Sequence, residues 1–186
     1  MSRLPLIDPA HAEGETKDLF DAVRTKMGKV PNLVKALANS PALLKTYLGM
    51  SGALGESRLS APLRERIALA LAELNACGYC LSAHTAIGGM LRIPAEEIEA
   101  ARRGEAPDAR DAAAITLARQ VLLERGHVRD AQLAAARAAG LDDQDIAEIF
   151  GVALLNLFTN WFNHLAVTPI DFPEVVPGVA GAAASR

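Results

Sequence analysis

The stretch LSAPLRERIALALAELNAC, residues 59–77, constrains the fold more than any other part of the chain. Ser60 is a favourable N-cap, and Pro62 falls in the first helical turn, where its missing N–H costs no hydrogen bond. Apolar residues from Ile67 to Leu74 then cover so wide a surface that this helix has to be deeply buried. The other segments of the chain must therefore cover it.

The remaining segments also have helical rather than strand character. Four of them end in a glycine, which is typical of a helix C-terminus, and these glycines are Gly28, Gly104, Gly126 and Gly140. Hydrophobic residues make up 51% of the chain and aromatic residues 4%, with alanine and leucine, the best helix formers, prominent. The pattern predicts an all-α bundle, with two loosely related helical halves as one possible arrangement.

The length of 186 residues suits a single domain that buries its own core without disulfide bonds. We divide residues 1–186 into an N-terminal helical part (1–58), a core that carries both cysteines (59–125), C-terminal helices (126–172) and a flexible tail rich in Pro, Gly and Ala (173–186).

Charge and hydropathy argue against several classes of partner. The formal net charge is −3, with acidic and basic residues mixed, so nucleic-acid binding has no electrostatic basis. The N-terminus lacks the apolar segment of a signal peptide, and no run approaches the roughly 18 apolar residues of a membrane span. We therefore expect a cytoplasmic protein without a membrane partner. In that reducing compartment, a lone cysteine pair is more often catalytic or metal-binding than structural.

Both cysteines of the chain lie in the stretch CGYC, and a histidine follows four residues later. A helix beginning at Cys77 or Gly78 would bring Cys77, Cys80 and His84 onto one face, because positions three and four apart are neighbours. The helix start favours a thiolate, which by itself would make Cys77 the more acidic thiol. The imidazole of His84 can accept a thiol proton.

Three interpretations of this cluster are open. In a dithiol redox site, one thiolate attacks an electrophile such as a peroxide oxygen, and the second thiol closes a disulfide. In a zinc site, Cys77, Cys80 and His84 would need a fourth ligand, yet no second CxxC or HxxxH supplies one. The third is a buried structural cluster, which the concentration of both cysteines in one place disfavours. We prefer the redox site.

Two glutamates could serve as the carboxylate partner of the histidine. Glu73 lies four residues before Cys77 and would line up with the site on an unbroken helix. Glu65 could approach it if the chain turns back near residues 75–78 and the two helices pack antiparallel. Arg64 and Arg66 flank Glu65, so an ion pair is an alternative role for it.

The spacing E-x11-C-x2-C-x3-H, from residue 65 to residue 84, resembles the signature of the AhpD-like alkylhydroperoxidase branch of the carboxymuconolactone decarboxylase family. The segments MGKVPNLVKALANSPALLKTY and FNHLAVTPIDFPEV resemble the longer, peroxidase-related subgroup of that family. The resemblance thus extends over most of the chain and implies the AhpD-like helical fold.

The resemblance also implies roles for individual residues. Cys80 would be the cysteine that attacks the peroxide, and Cys77 would be the resolving cysteine. His84 would pass a proton from the Cys80 thiol through water to Glu65, rather than to Glu73. That choice requires a helix break before Cys77.

Further residues are weaker candidates for lining the site. Tyr79 stands between the cysteines and could shape a pocket, although packing is as good an explanation, and Glu73 stays a possible neighbour. His164 lies on the apolar face of a late helix, where a histidine is more often a satisfied core group. Asn160 and Asn163 are its candidate hydrogen-bond partners.

The resemblance implies a peroxidase-like thiol oxidoreductase with an antioxidant role. Its substrate would be a hydroperoxide, its reductant an external dithiol (a lipoyl protein or a thioredoxin-like one), and it would need no metal, haem, flavin or nicotinamide cofactor. We expect a homo-oligomer, a dimer, trimer or hexamer, which the excess of apolar helix surface also favours. The alternatives are a decarboxylase of the γ-carboxymuconolactone type, whose relatives do not depend on CxxC, and a non-catalytic zinc-binding or redox-sensing module.

Overall fold

The computed structural model describes residues 2–178, and within that range it is helical without any strand. The all-α prediction is confirmed. The helices are α1 (Gly14–Met27), α2 (Asn32–Leu37), α3 (Pro41–Gly55), α4 (Ala61–Leu74), α5 (Gly78–Met90), α6 (Ala95–Arg103), α7 (Ala109–Leu123), α8 (Asp130–Ala138) and α9 (Asp143–Ala166). No described helix is both long enough and apolar enough to cross a membrane.

The local signals that predict helix ends are found where they were expected. The hydroxyl of Ser60 accepts a hydrogen bond from the Leu63 N–H and caps α4. The four glycines at the predicted helix ends all have positive φ angles, between 74° and 92°. Glycine adopts this left-handed conformation without a steric cost. Gly28 and Gly104 are the C-cap residues of α1 and α6, while Gly126 and Gly140 follow shortly after the ends of α7 and α8.

Helix α4 lies at the centre of the bundle and packs against α5, α6, α7 and α9. It belongs to two hydrophobic clusters. Leu69 faces the first cluster, which includes both cysteines and residues of α1, α2, α3, α5 and α6. Ile67 and Leu71 face the second, which joins α4 to α7, α8 and α9. The deep burial predicted for this helix is thereby explained, since it has apolar neighbours on nearly every side.

The chain reverses direction between α4 and α5, and this reversal positions the cysteines. Ala76 adopts a left-handed conformation with φ of 51°, and the Cys77 N–H donates to the Ala72 carbonyl at 2.9 Å. An alanine in this conformation costs about 1–2 kcal/mol, so the surrounding packing must impose the turn. Because α4 and α5 then run side by side, Glu65 is brought beside α5.

An extended segment after α9, residues 168–178, crosses the start of α5, and we call it the C-terminal strap. Asp171 accepts hydrogen bonds from the Tyr79 hydroxyl at 2.8 Å and from the Asn32 N–H at 3.2 Å. Phe172 packs edge-on against the Tyr79 ring, with 5.8 Å between ring centroids. The Lys29 ammonium lies 3.9 Å from the centre of the Phe172 ring. Together these contacts connect the strap to α2 and α5.

The end of the strap is held by side chains of three other helices. The Val175 N–H donates to the Ser82 hydroxyl at 2.9 Å, and Arg102 donates to the Val176 carbonyl at 3.0 Å. The Gly178 N–H donates to Glu73. The described part of the predicted flexible tail is therefore anchored, and residues 179–186 of that tail lie outside the described residues. The fourfold division of the chain stays a prediction.

Candidate active site

The two cysteines occupy the first turn of α5 and are both free and buried, with 1% and 2% of Cys77 and Cys80 exposed. Cys77 is the N-cap residue, and its sulfur accepts a hydrogen bond from the Cys80 N–H at 3.4 Å. Cys80 lies one turn further into the helix. The Asn163 side chain of α9 donates from Nδ2 to the Cys80 sulfur at 3.2 Å.

The two thiols differ in acidity. The hydrogen bond from Cys77 lowers the pKa of Cys80 to about 6, assisted by the charge of His84 and by the amides of Asn163 and Asn160, against the opposing effect of burial. The same hydrogen bond, together with burial, raises the pKa of Cys77. Position at the helix start therefore does not make Cys77 the more acidic thiol, because its proton is shared with the Cys80 sulfur.

Glu65 and His84 form a close pair between α4 and α5. The Nδ1 atom of His84 lies 2.7 Å from Oε2 of Glu65, with 21% and 16% of the two side chains exposed. Burial lowers the pKa of His84, but the charge of Glu65 and its hydrogen bond outweigh that effect and raise the pKa overall. A protonated imidazole beside Cys80 is thus favoured, and it stabilises a thiolate there.

A small pocket of about 70 Å³ opens onto Cys80 and His84. Its lining is mainly apolar and comes from α1, α2, α3, α5, α9 and the strap, including Tyr47, Tyr79 and Phe172. A single water needs about 10–15 Å³ of such space, so the pocket has room for only a few water-sized groups. Burial and the nearby charges of Cys80 and Glu65 raise the pKa of Tyr47 to about 12, which leaves its hydroxyl protonated at neutral pH.

Glu73 and His164 both lie away from the pocket. Glu73 is buried and accepts a hydrogen bond from Nε of Arg102 at 3.0 Å, in addition to its bond from the strap. His164 is exposed, and its Nε2 atom lies 2.9 Å from the Asn75 carbonyl oxygen. Neither residue lines the pocket. The proposed pairing of His164 with asparagines of its own helix is wrong, because its ring reaches back to the α4–α5 turn.

Tyr79 does line the pocket, and its hydroxyl makes two hydrogen bonds. It accepts from the Leu33 N–H at 3.0 Å and donates to Asp171 at 2.8 Å. The residue therefore has both roles that the sequence leaves open, because one face of the ring shapes the pocket and the hydroxyl connects α2, α5 and the strap.

Asn163 and Tyr47 are neighbours of the cysteines that sequence reasoning did not place at the site. One signal pointed to the asparagine. Asn156, Asn160 and Asn163 repeat at helical spacing along the otherwise apolar helix α9, which indicates a polar stripe on a buried face. No comparable signal marks Tyr47, because a tyrosine on an apolar helix face is ordinary core composition.

Among residues 2–178 no three His, Cys, Asp or Glu side chains are grouped so that they could hold a metal ion. The arrangement that is present is a thiol of low pKa, a second thiol in contact with it and an imidazole–carboxylate pair, all at the edge of one pocket. Such a set can form a nucleophilic thiolate and move a proton to or from it.

A helical bundle that presents a cysteine pair, a histidine and a glutamate from one central hairpin is an AhpD-like protein. The model of the carboxymuconolactone decarboxylase family matches residues 41–124. An uncharacterized peroxidase-related protein from Silicibacter sp. TM1040 is 30% identical, with a TM-score of 0.79 over 90% of this chain and 89% of that one. The chain belongs to the carboxymuconolactone decarboxylase family, as its sequence pattern predicts.

Two further solved structures share the fold. An uncharacterized peroxidase-related protein from Ralstonia eutropha JMP134, described as an alkylhydroperoxidase AhpD core, has a TM-score of 0.83 at 24% identity, over 91% of this chain and 92% of that one. The debrominase Bmp8, in complex with 2,3,4-tribromopyrrole, has a TM-score of 0.75 at 16% identity, over 92% and 94% of the two chains. No curated protein matches the chain in sequence.

Proposed function

We propose that the protein is a thiol peroxidase that reduces hydroperoxides through Cys80 and Cys77. The observation that carries this proposal is the acidic, hydrogen-bonded Cys80 thiol beside the Glu65–His84 pair, at a pocket that admits a small head group. A thiolate is the reactive form of cysteine, and a pKa of about 6 keeps most of it ionised at neutral pH.

The first step oxidises Cys80. Its thiolate attacks the terminal oxygen of the hydroperoxide, an S–O bond forms and the O–O bond breaks. The protonated His84 gives the departing alkoxide its proton, so an alcohol leaves and Cys80 becomes a sulfenic acid. Glu65 holds His84 by its Nδ1–H, which leaves the other ring nitrogen for this transfer.

The second step closes the disulfide. The Cys77 sulfur attacks the Cys80 sulfur and the S–O bond breaks. The Cys77 proton passes through the imidazole–carboxylate pair to the departing hydroxyl, which leaves as water. An external dithiol then reduces the disulfide and restores both thiols. Because both sulfurs are buried, a slender dithiol such as a lipoyl arm fits this role better than a bulky one. Free thiols and an external dithiol call for a reducing compartment, so we place the protein in the cytoplasm.

Counting thiols before and after one equivalent of an organic hydroperoxide tests this function, with the protein denatured for the count because both thiols are buried. Wild type should lose both thiols. The Cys80→Ser variant should keep its single thiol, whereas Cys77→Ser should lose its own and yield a sulfenic acid that dimedone traps. Survival of both thiols in the wild type, at a hydroperoxide excess, would exclude the proposal.

The debrominase with this fold suggests a second candidate, because a thiolate that attacks oxygen can also attack the bromine of an aromatic C–Br bond. The C–Br bond would break, the ring carbon would take a proton, and Cys77 would then displace bromide from the Cys80 sulfur to form the disulfide. The lining of two tyrosines and a phenylalanine matches such a ring in polarity, but the pocket of about 70 Å³ would have to widen to admit it. Bromide release from 2,3,4-tribromopyrrole in the presence of a dithiol would distinguish a debrominase from a peroxidase. The lactone decarboxylase stays a further alternative, and lactone turnover that survives in Cys80→Ser would favour it.

We also propose that the chain forms a homo-oligomer through α9. Exposed apolar side chains follow one side of that helix, at Phe150, Leu154, Trp161 and Leu165. Their spacing of four, seven and four residues forms a continuous stripe, and a stripe of this kind on a surface helix is typical of a helix–helix contact.

A further inference from the structure

We propose that Asn160 and Asn163 form an amide cradle that holds the Cys80 thiolate, and that this cradle decides which of the two cysteines carries the negative charge. The proposal concerns the nucleophile of the proposed peroxidase and rests on that function for its catalytic meaning. Its physical content, the choice of the ionised thiol, is independent of any peroxide.

The first observation is the burial of amide groups on an apolar helix. Asn156, Asn160 and Asn163 of α9 are 5%, 0% and 4% exposed. Burying such a group without a partner costs about 1–3 kcal/mol. Asn156 avoids this cost by donating to the Val152 carbonyl at 2.9 Å. Asn160 Nδ2 and Asn163 Oδ1 have no conventional hydrogen-bond partner among the described residues. Incompletely satisfied buried groups of this kind call for a functional explanation.

The second observation is the direction in which the two amides point. Asn163 directs its nitrogen at the Cys80 sulfur, at 3.2 Å, and leaves its oxygen without a partner. Only the N–H donor of Asn163 is therefore used in the described structure. Asn160 accepts a hydrogen bond from Asn75 Nδ2 through its oxygen, at 2.9 Å. Since the oxygen is occupied, the amide nitrogen points away from Asn75. It makes no hydrogen bond to a described residue, but the Asn160 amide helps to lower the pKa of Cys80, so it supports the donor of Asn163 from a greater distance.

The orientation of Asn160 is secured from the α4–α5 turn. Asn75 is the residue that ends α4, and its carbonyl oxygen lies 2.9 Å from Nε2 of His164. The side-chain amide and the backbone carbonyl of Asn75 are therefore both held by residues of α9. The exposed His164 thus supports the turn that orients Asn160, although it does not contact the cysteines. The same contacts fix the distance between α9 and the start of α5.

An anion in this place needs such donors. A thiolate that is 2% exposed has lost its hydration, and N–H groups directed at it favour the charged form. The Cys77 sulfur accepts a backbone hydrogen bond at the helix start, and no side chain among residues 2–178 donates an N–H to it. The Cys77 S–H group is the main donor to the Cys80 sulfur, and the cradle sets the direction of that S–H···S bond, because the Asn163 N–H is directed at Cys80 and not at Cys77.

Other titratable groups face the same sulfur and must be separated from the cradle. They are Cys77 and His84 on α5, Tyr47 on α3 and Tyr79. Both tyrosines have raised pKa values and stay neutral across the pH range of interest. His84, with Glu65 behind it, is the group whose own titration could be confused with that of Cys80.

The test is the pH dependence of alkylation by iodoacetamide, with mass spectrometry to identify the modified cysteine. Asn163→Leu removes the donor while replacing an incompletely bonded amide by an apolar group of similar size. The midpoint for Cys80 should rise by about one pH unit, so alkylation should be slower by about fivefold at pH 6 and by about tenfold well below pH 6. The double variant Asn160→Leu/Asn163→Leu should spread the label to Cys77.

Asn156→Leu is the matched control. It makes the same substitution on the same helix, at a residue equally buried whose amide bonds a carbonyl instead of the sulfur. It should leave the Cys80 midpoint unchanged. A folded Asn163→Leu variant that also keeps the wild-type midpoint overturns the proposal.

A second measurement requires no substitution of Asn160 or Asn163. In the wild type, the side-chain amide resonances of Asn160 and Asn163 should shift with pH at the Cys80 midpoint, and these shifts should disappear in Cys80→Ser, which keeps His84. Amide resonances that do not titrate, or that titrate equally in Cys80→Ser, also overturn the proposal. Neither experiment uses a peroxide, so a failure of the proposed peroxidase function would be seen separately, in the thiol count.

Discussion

Replacing Glu65 by glutamine tests the proposed proton relay most directly, because the substitution removes a charge and keeps the shape and a hydrogen-bond acceptor. Glu65 and His84 are 2.7 Å apart and mostly buried. In the wild type the glutamate overcomes the effect of burial and raises the pKa of His84. In Glu65→Gln burial dominates, so the pKa of His84 should fall. The pKa of Cys80 should rise in turn, since the charge of His84 helps to lower it.

The size of the effect follows from the kind of hydrogen bond that is changed. Bonds to a charged group contribute about 1.5–3 kcal/mol and neutral ones about 0.5–1.5 kcal/mol. The difference of roughly 1–1.5 kcal/mol corresponds to about tenfold in the population of the imidazolium–thiolate pair. If Glu65 also receives the proton of the resolving thiol, lost general base catalysis adds a factor of about 100 or more. The rate of Cys80 oxidation should therefore fall by about twofold at pH 7 and by about tenfold well below pH 6, and disulfide closure should slow further.

The assay is the rate of thiol loss after mixing with a hydroperoxide, measured from pH 5 to 8. Only the deprotonated Cys80 reacts, so the wild-type rate should fall as the pH drops through about 6 and level off above it. In Glu65→Gln the rise should move to higher pH. Glu73→Gln is the control, since Glu73 is buried against Arg102 and should affect stability but not this profile. An unchanged profile in Glu65→Gln, or a shift in Glu73→Gln instead, would refute the relay.

Three further variants test the hydrogen bonds of Tyr79, the ion pair of Glu73 and the oligomer contact on α9. Tyr79→Phe leaves Asp171 and a backbone N–H of α2 without their shared hydroxyl, so the unfolding free energy in urea should fall by about 1–3 kcal/mol; no change would show that water replaces the hydroxyl. Arg102→Met removes the guanidinium that lies 3.0 Å from the buried Glu73 carboxylate and should cost about 1.5–3 kcal/mol, part of which adding Glu73→Gln should restore. Trp161→Glu places a charge on an exposed residue of the α9 stripe, so light scattering should show dissociation of the oligomer, and an unchanged mass would exclude that stripe as the contact.

The sequence predicts much of the fold because its helix signals are local. A serine cap with a proline in the first turn, or a glycine after an apolar run, acts within one helical turn of itself. The α4–α5 turn was also predictable as an interruption of the pattern. Its left-handed residue was not, because Ala76 adopts that conformation against its own preference, and only the packing of two long helices requires it.

The choice between the two glutamates shows where local reasoning ends. Helical spacing alone favours Glu73, which would follow the cysteines on an unbroken helix. The turn at residues 75–77 removes that alignment and places Glu65 beside His84 instead. Meanwhile Arg102, which is 29 residues further along the chain, comes to lie against Glu73. The sequence pattern selects Glu65 only through its resemblance to a family signature.

The acidity of Cys80 is a property of tertiary structure for the same reason. The N-terminus of a helix stabilises a negative charge on the residue located there, which at the start of α5 would favour a Cys77 thiolate. The hydrogen bond from Cys77 reverses this preference, assisted by His84 and by two asparagines distant in sequence. These are Asn163, 83 residues away, and Asn160, whose orientation depends on the turn between α4 and α5. The turn therefore affects both His84 and the surroundings of Cys80, because it brings Glu65 to His84 and holds the oxygen of Asn160 through Asn75. A substitution that shifts this turn should disturb the proton relay and the thiolate together, although it touches neither the histidine nor the reactive sulfur.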